Sequence, residues 1–278
     1  VSFLYGKHVR ANGIRQHYLR YGGKGPVVVI VPGIVSPAAL WDHVGRWLGQ
    51  THDCYILDVR GRGLSESGPH LDYGVDACAS DVLAFVQALR LGPHTLVGHS
   101  MGARIALRAL RKPGHDAQRV VLLDPPTSGP GRRPYPIPMD RTLAMVRAAH
   151  RGEAEALLRQ PGQAPWPEDM LVLRAQWLAT CDERVVYVTY DDFHQQDMLA
   201  DLACMSIPSH LICAGKGHVV SEEDVWDMRE RLPRLQVERL MSAGHQLQVD
   251  DFAGLRALLD PILGGTAQPP ETTKELTR

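Results

Sequence analysis

The stretch His94-Thr95-Leu96-Val97-Gly98-His99-Ser100-Met101-Gly102-Ala103-Arg104 decides the fold. His94 to Val97 reads as a short buried strand and Met101 opens a helix, so Gly98-His99-Ser100-Met101-Gly102 falls on the sharp turn between them. A Gly-x-Ser-x-Gly sequence in that setting is a nucleophile elbow. Glycines are needed because side chains would collide where strand meets helix, and the turn lifts the serine hydroxyl above the sheet in a strained conformation. Five residues alone would be a chance pattern or a plain structural turn; the flanking strand and helix favour a nucleophile.

Working outward, short apolar runs recur at Val27 to Val31, Cys54 to Leu57, Val120 to Leu123 and Leu211 to Ala214, as expected of parallel strands covered on both faces. Helical periodicity fits between them at about Ala38 to Leu48, Val75 to Leu89, Met101 to Leu110, Glu222 to Arg231 and Phe252 to Leu263. Residues 1–21 read as two strands around Asn12-Gly13, a preferred two-residue hairpin link. Strand-helix alternation with an elbow predicts an α/β-hydrolase fold, a mostly parallel, doubly wound sheet. The alternation fails after Asp124. Pro125, Pro126, Pro130, Pro134, Pro136 and Pro138 break the chain, and helical segments follow near Arg141 to Arg151, Glu153 to Leu158, Met170 to Ala179 and Val185 to Phe193. We therefore expect a core of residues 1–127 and 205–264, a helical lid over 128–204, and a mobile tail over 265–278 marked by its Gly-Gly, Pro-Pro and Thr-rich composition.

Bulk properties exclude several roles. Thirty basic residues against 31 acidic ones leave a formal net charge of -1, which offers no field for a phosphate backbone, so nucleic acid is not an expected partner. No stretch approaches the roughly 18 apolar residues of a spanning helix, and charges at Lys7, Arg10, Arg15 and Arg20 interrupt any secretory h-region, so a cytoplasmic protein without a membrane partner is expected. Five scattered cysteines without Cys-x-x-Cys spacing read as reduced, packed thiols. Phosphate-loop, dinucleotide and His-Glu-x-x-His patterns are missing, so no cofactor and no metal is expected. Trp41, Trp47, Trp166 and Met170 sit at spacings expected of core or pocket walls, with core the default reading.

A serine hydroxyl needs a base. His245, in Ser242-Ala243-Gly244-His245 just after the predicted last strand Leu235 to Met241, lies at the same sheet end as Ser100 and follows it in the chain order of this fold; the alternative is a surface-loop histidine. His99 should point across the elbow, away from the hydroxyl, and serve in packing or orientation. For the supporting carboxylate, the loop after the penultimate strand, Ala214-Gly215-Lys216-Gly217-His218-Val219-Val220, has no acid, and Asp224 falls inside the next helix. Asp124, ending the preceding strand, can reach the same imidazole, although an aspartate there could equally cap the proline-rich turn. The backbone N–H groups of Met101, at a helix N-terminus, and of Ile34, in Pro32-Gly33-Ile34-Val35-Ser36, are the expected oxyanion donors. Asp58-Val59-Arg60-Gly61-Arg62-Gly63-Leu64-Ser65 reads as a structural brace. Ser36, Arg132, Arg133 and His194 are candidate contacts for a polar or anionic substrate, the last three on a lid surface that could also be merely solvated.

The chain resembles bacterial N-formylmaleamate deformylases of aerobic nicotinate breakdown over most of its length. The resemblance is carried by Ala11-Asn12-Gly13-Ile14-Arg15-Gln16-His17-Tyr18-Leu19-Arg20-Tyr21-Gly22-Gly23, by the Asp58 to Ser65 loop, by the elbow through Arg104, and by Asp124-Pro125-Pro126 with Ser128-Gly129-Pro130-Gly131-Arg132-Arg133. It implies a Ser-His-Asp set with the acid at Asp124, and water cleaving a small anionic amide to maleamate and formate. Fold and motif alone also accommodate an esterase, a lactonase, a C–C hydrolase, or a ligand sensor without catalysis. The polar run Gln246-Leu247-Gln248-Val249 is expected to line the pocket.

Overall fold

Each central strand is apolar on both faces because both faces are covered. The computed structural model describes residues 2–161 and 166–264. Among these, β1 (Phe3–Ala11), β2 (Ile14–Tyr21), β3 (Val27–Val31), β4 (Asp53–Leu57), β5 (His94–His99), β6 (Ala117–Leu123), β7 (Ser209–Ala214) and β8 (Gln236–Leu240) form one sheet in the order β1-β2-β4-β3-β5-β6-β7-β8. β1 and β2 pair antiparallel around Asn12-Gly13, and β2 runs antiparallel to β4. All pairings from β4 onward across the sheet are parallel, which gives the mostly parallel sheet expected.

Successive residues along a strand face opposite sides, so alternation divides the core in two. Val29, Val31, Tyr55, Leu57, Val120 and Leu122 join one buried cluster, while Val28, Ile30, Cys54, Ile56, Val121 and Leu123 join the other. Helices α1 (Asp42–Leu48) and α11 (Phe252–Gly264) cover the second face with Val44, Leu48, Leu255 and Leu259, and Trp41 and Trp47 are buried there. Helices α2 (Val75–Ala88), α3 (Met101–Leu110) and α9 (Glu222–Arg231) cover the first.

Between β6 and β7 lie α4 (Met139–His150), α5 (Ala154–Leu158), α6 (Glu168–Leu178), α7 (Glu183–Gln195) and α8 (Met198–Ala203). Leu143, Val146, Leu178, Val185 and Phe193 extend the first cluster above the strand ends. The sequence reading missed α8 and α10 (Leu247–Asp250). Both are too short to establish a helical period, although α8 carries a start signal: the Asp197 side chain accepts from the N–H groups of Leu199 and Ala200. The expected tail over 265–278 lies outside the described residues.

The Asp58 loop fastens several segments. Asp58 accepts from the N–H of Ala38 at 2.6 Å and of Leu64 at 3.0 Å, and it pairs with His17 Nδ1 at 2.6 Å. Arg60 grips Asp81 through two bonds of 2.5 Å. The loop is a brace, as its Asp and Arg content suggested.

Candidate active site

The elbow is built by exclusion. A Cβ on Gly98 would lie 2.4 Å from the carbonyl oxygen of Gly102, and one on Gly102 would lie 1.9 Å from that of Val31. Only glycine lets β5 turn into α3 this closely against β3. Ser100 takes the strain, with φ 53° and ψ -121°, and its N–H is fastened to the Leu123 carbonyl at 2.8 Å.

The hydroxyl meets an ordered chain of partners. His245 Nε2 lies 2.9 Å from Ser100 Oγ, and His245 Nδ1 lies 2.7 Å from Asp124 Oδ2. Asp124 is fully buried; its Oδ1 accepts from the Ala214 N–H at 3.1 Å, and its own N–H donates to Ile212. It adopts φ 45°, costly for a non-glycine residue, so the tip of β6 holds this carboxylate in one place rather than letting it cap a turn. A carboxylate beside Nδ1 fixes the proton there and leaves Nε2 as an acceptor for the serine hydroxyl.

His99 stands behind this set. Its Nε2 is 2.8 Å from the His245 carbonyl, which can only accept, so Nε2 carries the proton. Burial first, then the neighbouring His245, push its pKa down to about 3, and the ring packs between Trp41 and His245 as a neutral orienting group.

Gly33, Ile34, Val35 and Ser36 line the cavity together with Ser100 and His245. The Ile34 peptide is braced from behind: buried Arg62 donates through Nε to the Ile34 carbonyl at 2.7 Å. Met101 begins α3, where first-turn N–H groups have no intrahelical acceptor. Ser36 Oγ accepts from Trp41 Nε1 at 3.0 Å and borders the cavity.

Three candidates are not brought to the cavity, and their expected substrate contact is corrected here. Arg132 bonds Asp224 and Asp227 at 2.8 and 2.6 Å, and Arg133 bonds Asp224 and the carbonyls of His218 and Val219. Opposite charge on α9 neutralises both and clasps the proline-rich segment to the core. Asp224 is thus the capping-box residue of α9 and the anchor of this clasp. His194 accepts the Tyr135 N–H at 3.3 Å and bonds the Tyr190 carbonyl at 2.7 Å, which makes it a support for Tyr135.

Sequence reasoning missed Tyr135 and Arg174. The buried Tyr135 hydroxyl is 3.5 Å from His245 Nε2, beside the Ser100–His245 pair. No motif marks a tyrosine in Arg-Pro-Tyr-Pro-Ile-Pro, beyond the prolines that stiffen its placement. Trp166 packs against the core cluster and also lines the cavity with Ile137, Met145, Arg174 and Gln246. This space is about 240 Å³, with a smaller extension of about 60 Å³ reaching Ser100. Among the described residues no cluster of His, Cys, Asp and Glu is suited to holding a metal.

A strained serine, an imidazole and a buried carboxylate above the carboxyl ends of a parallel sheet define a hydrolase of the α/β-hydrolase fold, and the family described by that fold matches residues 26–165. The chain is 48% identical over 262 residues to the N-formylmaleamate deformylase of Pseudomonas putida KT2440, covering 94% of this chain and 97% of that one. It belongs to the N-formylmaleamate deformylase family. The crystal structure of the N-formylmaleamic acid deformylase from Pseudomonas putida S16 superposes with a TM-score of 0.87 at 40% identity, over 92% of this chain and 100% of that one. An E-2-(acetamidomethylene)succinate hydrolase shares the fold, with a TM-score of 0.77 at 21% identity over 95% of this chain and 100% of that one.

Proposed function

We propose that this enzyme hydrolyses the N-formyl amide of N-formylmaleamate to maleamate and formate, with Ser100 as nucleophile, His245 as proton carrier and Asp124 as its orienting carboxylate. The Ser100 hydroxyl adds to the formyl carbon while His245 Nε2 takes its proton, and the N–H groups of Ile34 and Met101 receive the developing oxyanion. His245 then returns the proton to the amide nitrogen as the C–N bond breaks, releasing maleamate and leaving a formyl ester on Ser100. Conjugation of that nitrogen to a second carbonyl makes its departure easier than that of a simple amine, and acid assistance lowers the barrier further. Water, deprotonated by His245, attacks the ester and releases formate.

The observation that carries this reading is the continuous 2.9 Å and 2.7 Å hydrogen-bond chain beside a cavity sized for a small acyclic acid, in a chain of this family. Purified protein should release formate from N-formylmaleamate, and Ser100→Ala should stop it. Preference for p-nitrophenyl esters by orders of magnitude would overturn the substrate. We read residues 128–204 as the lid over this site and residues 1–127 and 205–264 as the core. We also assign the enzyme to the cytoplasm, consistent with five free cysteines and, among the described residues, no helix long and apolar enough to cross a membrane.

A further inference from the structure

Several buried arginines here have full sets of acceptors. Arg60 has Asp81, Arg108 has Asp201, and Arg104 donates to the carbonyls of Pro126, Ser128, Asp192, Phe193 and Gln196. Arg174, on α6, departs from this pattern. It lines both parts of the cavity, yet among the described residues its buried Nε has no hydrogen-bond partner and its Nη2 meets only the thioether of Met145 at 3.6 Å. A thioether is a weak acceptor, so this guanidinium has been desolvated with little in return.

Its orientation is nevertheless fixed. The Arg174 guanidinium carbon sits 4.3 Å from the centre of the Trp166 ring. Stacking occupies the flat face of a guanidinium and leaves its N–H groups directed outward in the plane, the geometry that receives a carboxylate. Asp250 borders the same cavity and attracts Arg174 at longer range, but among the described residues no ion pair joins the two. Arg141 adds a second positive charge to the wall.

We propose that Arg174, stacked on Trp166, is the anchor for a substrate carboxylate and makes the enzyme selective for acyl compounds that carry an anionic group beyond the scissile bond. The proposal deepens the function above and rests on Ser100 being the reacting serine. Both residues border one cavity, so a short ligand whose carbonyl reaches Ser100 can direct its far end to Arg174. The ligand would supply the acceptor that the protein withholds, and an analogue lacking the charge would leave Arg174 desolvated and unpaired. Arg174 thus selects substrate without taking part in bond making.

The test compares a p-nitrophenyl hemisuccinate with p-nitrophenyl butyrate, together with maleate binding by calorimetry, for the wild type, Arg174→Met and Arg174→Lys. The preference in kcat/KM for the anionic ester should fall on the order of 100-fold in Arg174→Met, with maleate affinity falling in parallel. Arg174→Lys, keeping charge but losing the fork, should fall between. An unchanged preference, equal losses on both esters, or maleate binding that ignores both variants would overturn the proposal. If the wild type fails on N-formylmaleamate yet shows an Arg174-dependent anion preference, the substrate assignment falls and the anchor stands. Cleavage of N-formylmaleamate at the same kcat/KM in Arg174→Met would do the reverse.

Discussion

Two histidine–aspartate pairs with buried carboxylates stand out among the described residues. Asp58 follows the tip of β4 and pairs with His17 at 2.6 Å; Asp124 follows the tip of β6 and pairs with His245 at 2.7 Å. The two pairs share chemistry and a buried carboxylate, but His17 is buried and His245 is partly open to the cavity. Asp58 is encircled by the N–H groups of Ala38 and Leu64 and by a histidine on a β-hairpin strand, so every bond ties one segment to another. Asp124 spends one oxygen on Ala214, and its histidine passes the other side of the ring to a strained serine at the edge of a cavity. A dyad is therefore an ordinary brace until a nucleophile and an open space are placed at its far nitrogen.

The comparison can be broken most severely at the serine. Ser100→Ala should lower formate release by roughly 10⁴- to 10⁶-fold while thermal melting barely changes. Asp124→Asn should cost on the order of 10⁴-fold in kcat through the wrong imidazole tautomer, again in a folded protein. Asp58→Asn is the mirror experiment. It should destabilise the fold by about 1.5–3 kcal/mol in urea titration, because buried charge-assisted bonds are lost, with the kcat of the folded fraction largely kept. Loss of kcat without loss of stability in Asp58→Asn would erase the distinction.

Smaller effects sharpen it. Tyr135→Phe should reduce kcat/KM by about 2- to 10-fold, the worth of one hydroxyl contact at His245, without altering anion preference. Acid should act through histidines the pairs do not use. Burial, then His245, holds His99 down to about 3, and burial, then Arg119, holds His210 down to about 4. The unfolded chain takes up these protons near pH 6.5 and the folded chain refuses them. Stability is therefore complete above about pH 6.5 and is lost as pH falls toward 4, by at most about 1.4 kcal/mol per pH unit for each histidine. Melting temperatures across that range should show the slope, and His99→Gln should flatten it.

Much of this molecule was legible in the chain. Strands buried on both faces wrote themselves as aliphatic runs, so β3 and helices α3 and α9 fall on the expected residues, and Gly98 and Gly102 marked the elbow because nothing larger fits. Asp124 could be named since the alternative loop contained no acid. Arg132, Arg133 and His194 could not be placed: a basic residue reads alike whether it faces ligand or an acidic helix, and only packing set Arg132 and Arg133 against Asp224.

By itself, the sequence determined the sheet, the turn that strains Ser100 and the order in which serine, acid and histidine occur, because these depend on local sterics and on periodic burial. The tertiary structure alone decided which of two similar dyads meets a nucleophile, that Tyr135 stands beside it, and that Arg174 lies half-buried against Trp166 with no ion pair among the described residues. Those outcomes depend on distances between residues far apart in the chain, which no local pattern encodes.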